Sequence, residues 1–196
     1  MPSHCSRTIP SAALLLLAAL PLAAAAQGGP GALTGLFVTA DRCMSCHNNL
    51  ITQGGEDVSI GSDWRGSMMA HAALDPYWQA SVRRETLDHP AAAAAIEHEC
   101  AACHMPMART LSMSLGEKGR IFAHLPIASA ATPEAVLAAD GVSCTACHQI
   151  TAQKFGTPDS FTGGFVIDTG AVAPRPIYGP FPVQAGQASL MHSATG

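Results

Sequence analysis

Three pentapeptides of the form Cys-x-x-Cys-His stand in this chain: Cys43-Met44-Ser45-Cys46-His47, Cys100-Ala101-Ala102-Cys103-His104 and Cys144-Thr145-Ala146-Cys147-His148. Two thiols three residues apart, with an imidazole directly after the second, suit covalent attachment of haem c. The thiols add across the two vinyl groups as thioethers, and the histidine is held beneath the iron as its proximal ligand. With seven cysteines and nine histidines in 196 residues, roughly 0.01 copies of such a pentapeptide are expected by chance. Three copies are therefore a built feature, and they predict three covalent haem c groups. Two other chemistries compete. Disulfides have no need of a histidine after every second cysteine. Zinc sites use Cys-x-x-C pairs but close a tetrahedron with a second ligand pair, which these motifs do not supply.

The seventh cysteine, Cys5, falls in residues 1–26, which read as a secretory signal peptide. Arg7 gives a positive start, Ser11 to Leu22 an apolar stretch, and Ala24-Ala25-Ala26 before Gln27 a small-residue cleavage site. The apolar stretch is short and broken by Pro21, so it is not expected to span a membrane, and the mature chain is expected to have no transmembrane segment. Residues 27–196 form one expected domain, exported to the periplasm or the extracellular face, where haem c is attached. Without Arg7, nine basic residues face fourteen acidic ones, a balance of −5. There is no basic stripe, which argues against a nucleic-acid partner. Aromatic residues make up only 5% of the chain, a composition that suits a core in which porphyrins replace large side chains.

The elements that must position these motifs are helical. Asp75-Pro76 predicts a helix start, with Asp as N-cap and Pro at the first position, running to about Leu87. A second helix is expected from Pro90 through five alanines into Cys100. A third opens on Thr132, Pro133 and Glu134 and stops near Gly141. Motifs two and three thus fall at helix ends. Gln27 to Gly35 and Gln53 to Gly61 read as loops. After Ile150 the chain turns rich in Gly, Pro and Thr, with one short strand expected at Gly164–Asp168. The expected fold class is mainly α with much irregular chain and few short strands, wrapped around packed haems. The end at Gly196 resembles neither a cap nor a polar tail, so the chain is expected to be a portion of a longer protein.

Six-coordinate iron needs a second axial ligand. After the three proximal histidines and His4 are set aside, His71, His89, His98, His124 and His192 remain. His98, two residues before Cys100, is tied to the proximal side of its own site, and His89 sits at a helix boundary. The distal candidates are therefore His71, His124 and His192, with Met69 as a thioether alternative. Met105 and Met107 read as pliable packing.

Four stretches carry a resemblance: Trp64-Arg65-Gly66-Ser67-Met68-Met69-Ala70 after the first site; Glu99 through Pro106; Gly141 through His148; and Tyr178-Gly179-Pro180-Phe181 leading to His192. Together they resemble multihaem cytochromes c of the cytochrome c-554 and hydroxylamine oxidoreductase type. In that family a Trp-x-x-Ser-x-His-Ala pattern often supplies a distal histidine. Here Met69 holds that position, which implies either a His/Met haem or a shift of the role to His71. Relatives usually carry four or more haems, so the resemblance implies an N-terminal portion. It implies electron transfer with redox proteins, other haem cytochromes or membrane quinol-oxidising complexes as partners. The alternative is part of a multihaem oxidoreductase acting on small nitrogen or sulfur compounds. The spare histidines favour a carrier over a catalyst.

Overall fold

The computed structural model describes residues 35–170, 175–179, 182–191 and 194–195. The signal peptide assigned to residues 1–26 and the candidate ligand His192 lie outside the described residues. What is described is mainly helical. Helices α1 (Ala40–Met44), α2 (Ile60–Arg65), α3 (Pro76–Asp88), α4 (Ala93–His104), α5 (Pro106–Ser114), α6 (Pro133–Ala139), α7 (Cys144–His148) and α8 (Ala185–Met191) are joined by turns and irregular chain. Strands β1 (Pro176–Ile177) and β2 (Ala194–Thr195) pair in parallel over two residues.

Local chemistry places the helices where the sequence put them. Asp75 caps α3, its carboxylate accepting the Tyr77 N–H at 2.9 Å. Thr132 caps α6 by accepting from Ala135 N–H at 3.2 Å. The alanine run after Pro90 begins as a 3-10 turn at Pro90–Ala92, then continues as α4 through the second motif to His104. Two expectations need correction. No strand forms at 164–168; Ile167 makes only an isolated antiparallel bridge to Ile150. Its neighbours explain this: Gly163 has φ +84°, and a Cβ on it would stand 2.6 Å from the Ala102 Cβ, so this stretch is bent against the second motif. The third motif is also not the end of α6. It is a separate short helix, set off by Gly141 at φ +63°.

The packing is thin. One cluster joins α3, α4, α5 and α6 through Trp78, Val82, Ala101, Met105, Ala108, Ile121 and Ala138. A second joins Leu36, Phe37, Met107, Leu111, Leu137 and Ala146. The two share α5 and α6, and Met105 and Met107 are fully buried in them, as gap-filling residues should be. Alanine supplies much of the first, through Ala73, Ala101, Ala108 and Ala138. Meanwhile Ile51, Ile60, Met68, Tyr77, Leu87, Phe155 and Phe161 stay exposed. A cation–π contact, with Arg83 3.6 Å above the Phe122 ring, fastens α3 to the turn at Phe122–His124.

Candidate haem-attachment sites

Each motif lies on a single helical turn, where residues i, i+3 and i+4 share one face. In the second motif that turn is the end of α4, and in the third it is α7 itself. In the first, α1 stops at Met44, but backbone bonds carry the turn onward: Cys46 and His47 N–H both donate to the Cys43 carbonyl, at 3.1 and 2.9 Å. All six cysteines are free thiols. In each motif the first is half-buried and the second exposed. Burial pushes the Cys100 and Cys147 thiols above their ordinary range.

Two of the three motif histidines are anchored as a metal-ligating imidazole would be. His104 Nδ1 lies 2.6 Å from the Ala72 carbonyl, and His148 Nδ1 lies 2.6 Å from the Tyr178 carbonyl. A carbonyl only accepts, so Nδ1 carries the proton and Nε2 keeps its lone pair for a metal. Such a bond also orients the ring and raises its basicity. Tyr178 closes the loop, its N–H donating to the His148 carbonyl at 2.7 Å. His104 is held on a second side, where Trp78 stacks flat on it with 4.0 Å between centroids and 7° between planes. The donor set, the free thiols, the Nδ1-locked rings and the exposed apolar side chains together fit haem c. The residues that would hold the three groups are Cys43, Cys46 and His47; Cys100, Cys103 and His104; and Cys144, Cys147 and His148. Among the described residues, no three His, Cys, Asp or Glu side chains converge as a metal-binding cluster.

Motifs one and three adjoin. The Cys43 and Cys144 thiols are neighbours, α1 packing on α7, and their mutual interaction pushes Cys43 up and Cys144 down to about 6. The segment before the first motif lies over the third: Thr145 Oγ1 donates to the Val38 carbonyl at 2.9 Å, and Gln149 Nε2 donates to the Leu36 carbonyl at 2.8 Å. Ala40 N–H donates to Asp140 Oδ2 at 2.8 Å, and burial raises that carboxyl above its ordinary value.

The distal candidates are distributed unevenly. The segment carrying Met69 is stitched to the start of the third motif: Trp64 Nε1 donates to the Val142 carbonyl at 2.9 Å, and Val142 N–H donates to the Met69 carbonyl at 3.0 Å. The Met69 side chain itself is 51% exposed. His71 lines a cleft with Asp41, Met44, Trp64, Arg65 and Asp140, beside the first motif. Its Nε2 lies 3.1 Å from the Arg65 carbonyl, so ligation through that nitrogen requires the bond to break. His124 ends the turn Phe122–His124 and is half-buried, its pKa lowered first by burial and then by Arg120. His98 has its acceptor nitrogen used: Gly119 N–H donates to Nδ1 at 3.0 Å, so Nε2 carries the proton and faces the Arg109 guanidinium 3.2 Å away. Burial, then Arg109, keeps its pKa below the ordinary value. His89 is exposed at the junction of α3 and the following turn, 3.9 Å from Glu85.

Sequence reasoning missed the Ala72 and Tyr178 carbonyl anchors, the Trp78 stack and the Cys43–Cys144 contact. A backbone acceptor leaves no mark in a sequence. Trp78 had one signal, as one of only two tryptophans in a chain poor in aromatic residues. No family model, curated protein or solved structure matches this chain. Among the described residues, no helix is long and apolar enough to cross a membrane.

Proposed function

We propose that this chain is an exported multihaem c-type cytochrome that transfers electrons through three covalently bound haems, of the cytochrome c-554 and hydroxylamine oxidoreductase-like type. The observation that carries the reading is the repeated pentapeptide with its free thiols, two of its three histidines hydrogen-bonded through Nδ1 so that Nε2 is left for iron. When bound, each haem supplies a one-electron Fe(III)/Fe(II) couple. The chain's own part is to hold the groups by thioethers, orient the proximal imidazoles, and cover the macrocycles with apolar side chains that otherwise face water. The contact between Cys43 and Cys144 favours a relay in which the first and third attachment points are neighbours. Redox proteins, other cytochromes or membrane quinol-oxidising complexes are the partners such a carrier would serve, in the periplasm or at the cell surface.

A pyridine haemochrome assay tests the proposal, on protein produced with a haem-maturation system. Three haems per chain are expected; a colourless, folded protein sinks the reading. Electron paramagnetic resonance then separates carrier from catalyst. Low-spin signals alone fit a carrier, whereas a high-spin signal that changes with hydroxylamine or nitrite marks an open iron. Replacing His124 or His192 by Ala is expected to turn one haem high-spin, and if neither does, those two distal assignments fail.

A further inference from the structure

We infer that Trp78 is a positioning residue for the second haem, clamping the His104 ring so that its Nδ1–H stays on the Ala72 carbonyl. The inference rests on the haem reading of the second motif. The observation behind it is independent of that motif's spelling. Trp78 stands in the first turn of α3, 9% exposed, with its ring nearly parallel to the imidazole.

The geometry is over-determined in a way packing alone does not require. His104 rotates about two side-chain torsions, and the second of these is broad for an imidazole. One hydrogen bond at Nδ1 leaves the ring free to tilt about that contact. A flat aromatic face at van der Waals distance removes the tilt. The residue after the acceptor is tied from the same helix turn: Gln79 Nε2 donates to the Ala73 carbonyl at 2.8 Å, and Ala73 is fully buried. Consecutive residues Trp78 and Gln79 thus hold the ring and the loop that bears its acceptor. Neither of the other proximal histidines has a stacked aromatic partner among the described residues.

The consequence is electronic. The imidazole plane and the strength of its Nδ1–H bond are among the levers that set a haem's potential. A strongly hydrogen-bonded imidazole is the better donor and favours Fe(III). Loosening the clamp is expected to raise the midpoint potential of one haem and leave the other two where they were.

The test compares Trp78→Phe and Trp78→Leu with the wild-type holoprotein. Haem is first counted: fewer than three haems per wild-type chain overturns the haem reading itself, and with it this inference. With three haems present, Trp78→Leu is expected to broaden or shift the low-spin resonance of one haem and to raise one potential. Trp78→Phe, which keeps a flat ring, is expected to restore both. Unchanged resonances and potentials in Trp78→Leu, whatever its thermal stability, overturn the inference and leave Trp78 as packing. Should Trp78→Leu fail to fold, the wild type labelled with fluorotryptophan gives the answer, since the chain has two tryptophans. The fluorine resonance missing in Trp78→Phe must shift strongly between the oxidised and reduced protein, and its failure to move overturns the inference equally.

Discussion

His104 of the second motif is held on two sides, by the Ala72 carbonyl and the Trp78 ring. Among the described residues the His47 ring of the first motif has no hydrogen-bond partner. The second motif ends a twelve-residue helix packed on α3 and α5. The first occupies a five-residue helix and its continuing turn, and the third another five-residue helix. These two are secured by each other instead, through Thr145, Gln149 and Asp140 reaching back to residues 36–40. An isolated helix of five residues is not stable in water, so the first and third motifs depend on long-range contacts and on what they bind. The second can be shaped by its helix before anything binds.

On the proposed haem reading, the largest effect should come from removing the thiols that would carry thioethers. Replacing both Cys100 and Cys103 by Ser is expected to reduce the haem count from three to two while α4 persists. The same change at Cys43 and Cys46 should remove one haem and also loosen the third site. Circular dichroism with the haemochrome count reads both. Equal loss of helix in the two double variants would break the comparison. Next comes Gly141→Ala. At φ +63° a Cβ there would stand 2.7 Å from the Met69 carbonyl oxygen, a backbone atom that cannot swing away. A loss of about 3 kcal/mol or more is expected from clash plus left-handed strain, read by urea unfolding. Gly116→Ala is the control. It has φ +77° but nothing within 4 Å of the added Cβ, so only the strain of about 1–2 kcal/mol should appear.

The parts of this architecture that were legible in the sequence share a property: their cause is local. Asp75-Pro76 and Thr132-Pro133 cap helices because of their own side chains, and the alanines before Cys100 need no partner to prefer a helix. The role of Met105 and Met107 as packing was also legible, from residue type alone. What escaped depends on distant backbone. Nothing in Ala72 or Tyr178 announces a carbonyl turned towards an imidazole 30 or more residues away. The expected strand at Gly164–Asp168 had the right residues, but its neighbour Gly163 is pressed against Ala102, a tertiary contact that overrides propensity. His98 was set aside in the sequence for its place beside Cys100, but the Gly119 N–H that its Nδ1 accepts comes from 21 residues away and leaves no mark there.

Asp140 tests the link between the first and third motifs by charge. Burial, its main influence, raises the carboxyl above its ordinary value, and the hydrogen bond from the Ala40 N–H offsets this only in part. A group whose folded pKa is raised binds its proton more tightly folded than unfolded, so stability falls as pH rises through the window between the two values. Asp140→Asn keeps an oxygen for the Ala40 N–H and removes the charge. It is expected to be no less stable than wild type at neutral pH, and to lose that part of the pH dependence. A clear drop in its melting temperature at pH 7 would mean that the charge itself joins the two motifs.

The smallest effect is expected at Arg65, whose guanidinium lies 2.9 Å from Asp41. This pair also bridges the first motif's helix to α2, so it resembles a staple of the looser region. The two side chains are 64% and 79% exposed, and water and salt screen such a pair while ordering it costs side-chain entropy. Asp41→Asn should therefore change unfolding free energy by about 0.5 kcal/mol or less, and added salt should erase even that. The contrast with Asp140, which makes its bond to the same helix from a half-buried position, separates the two ways of joining these elements. If Asp41→Asn destabilises as much as Asp140→Ala, the surface pair carries the junction and the buried hydrogen bond to Ala40 does not.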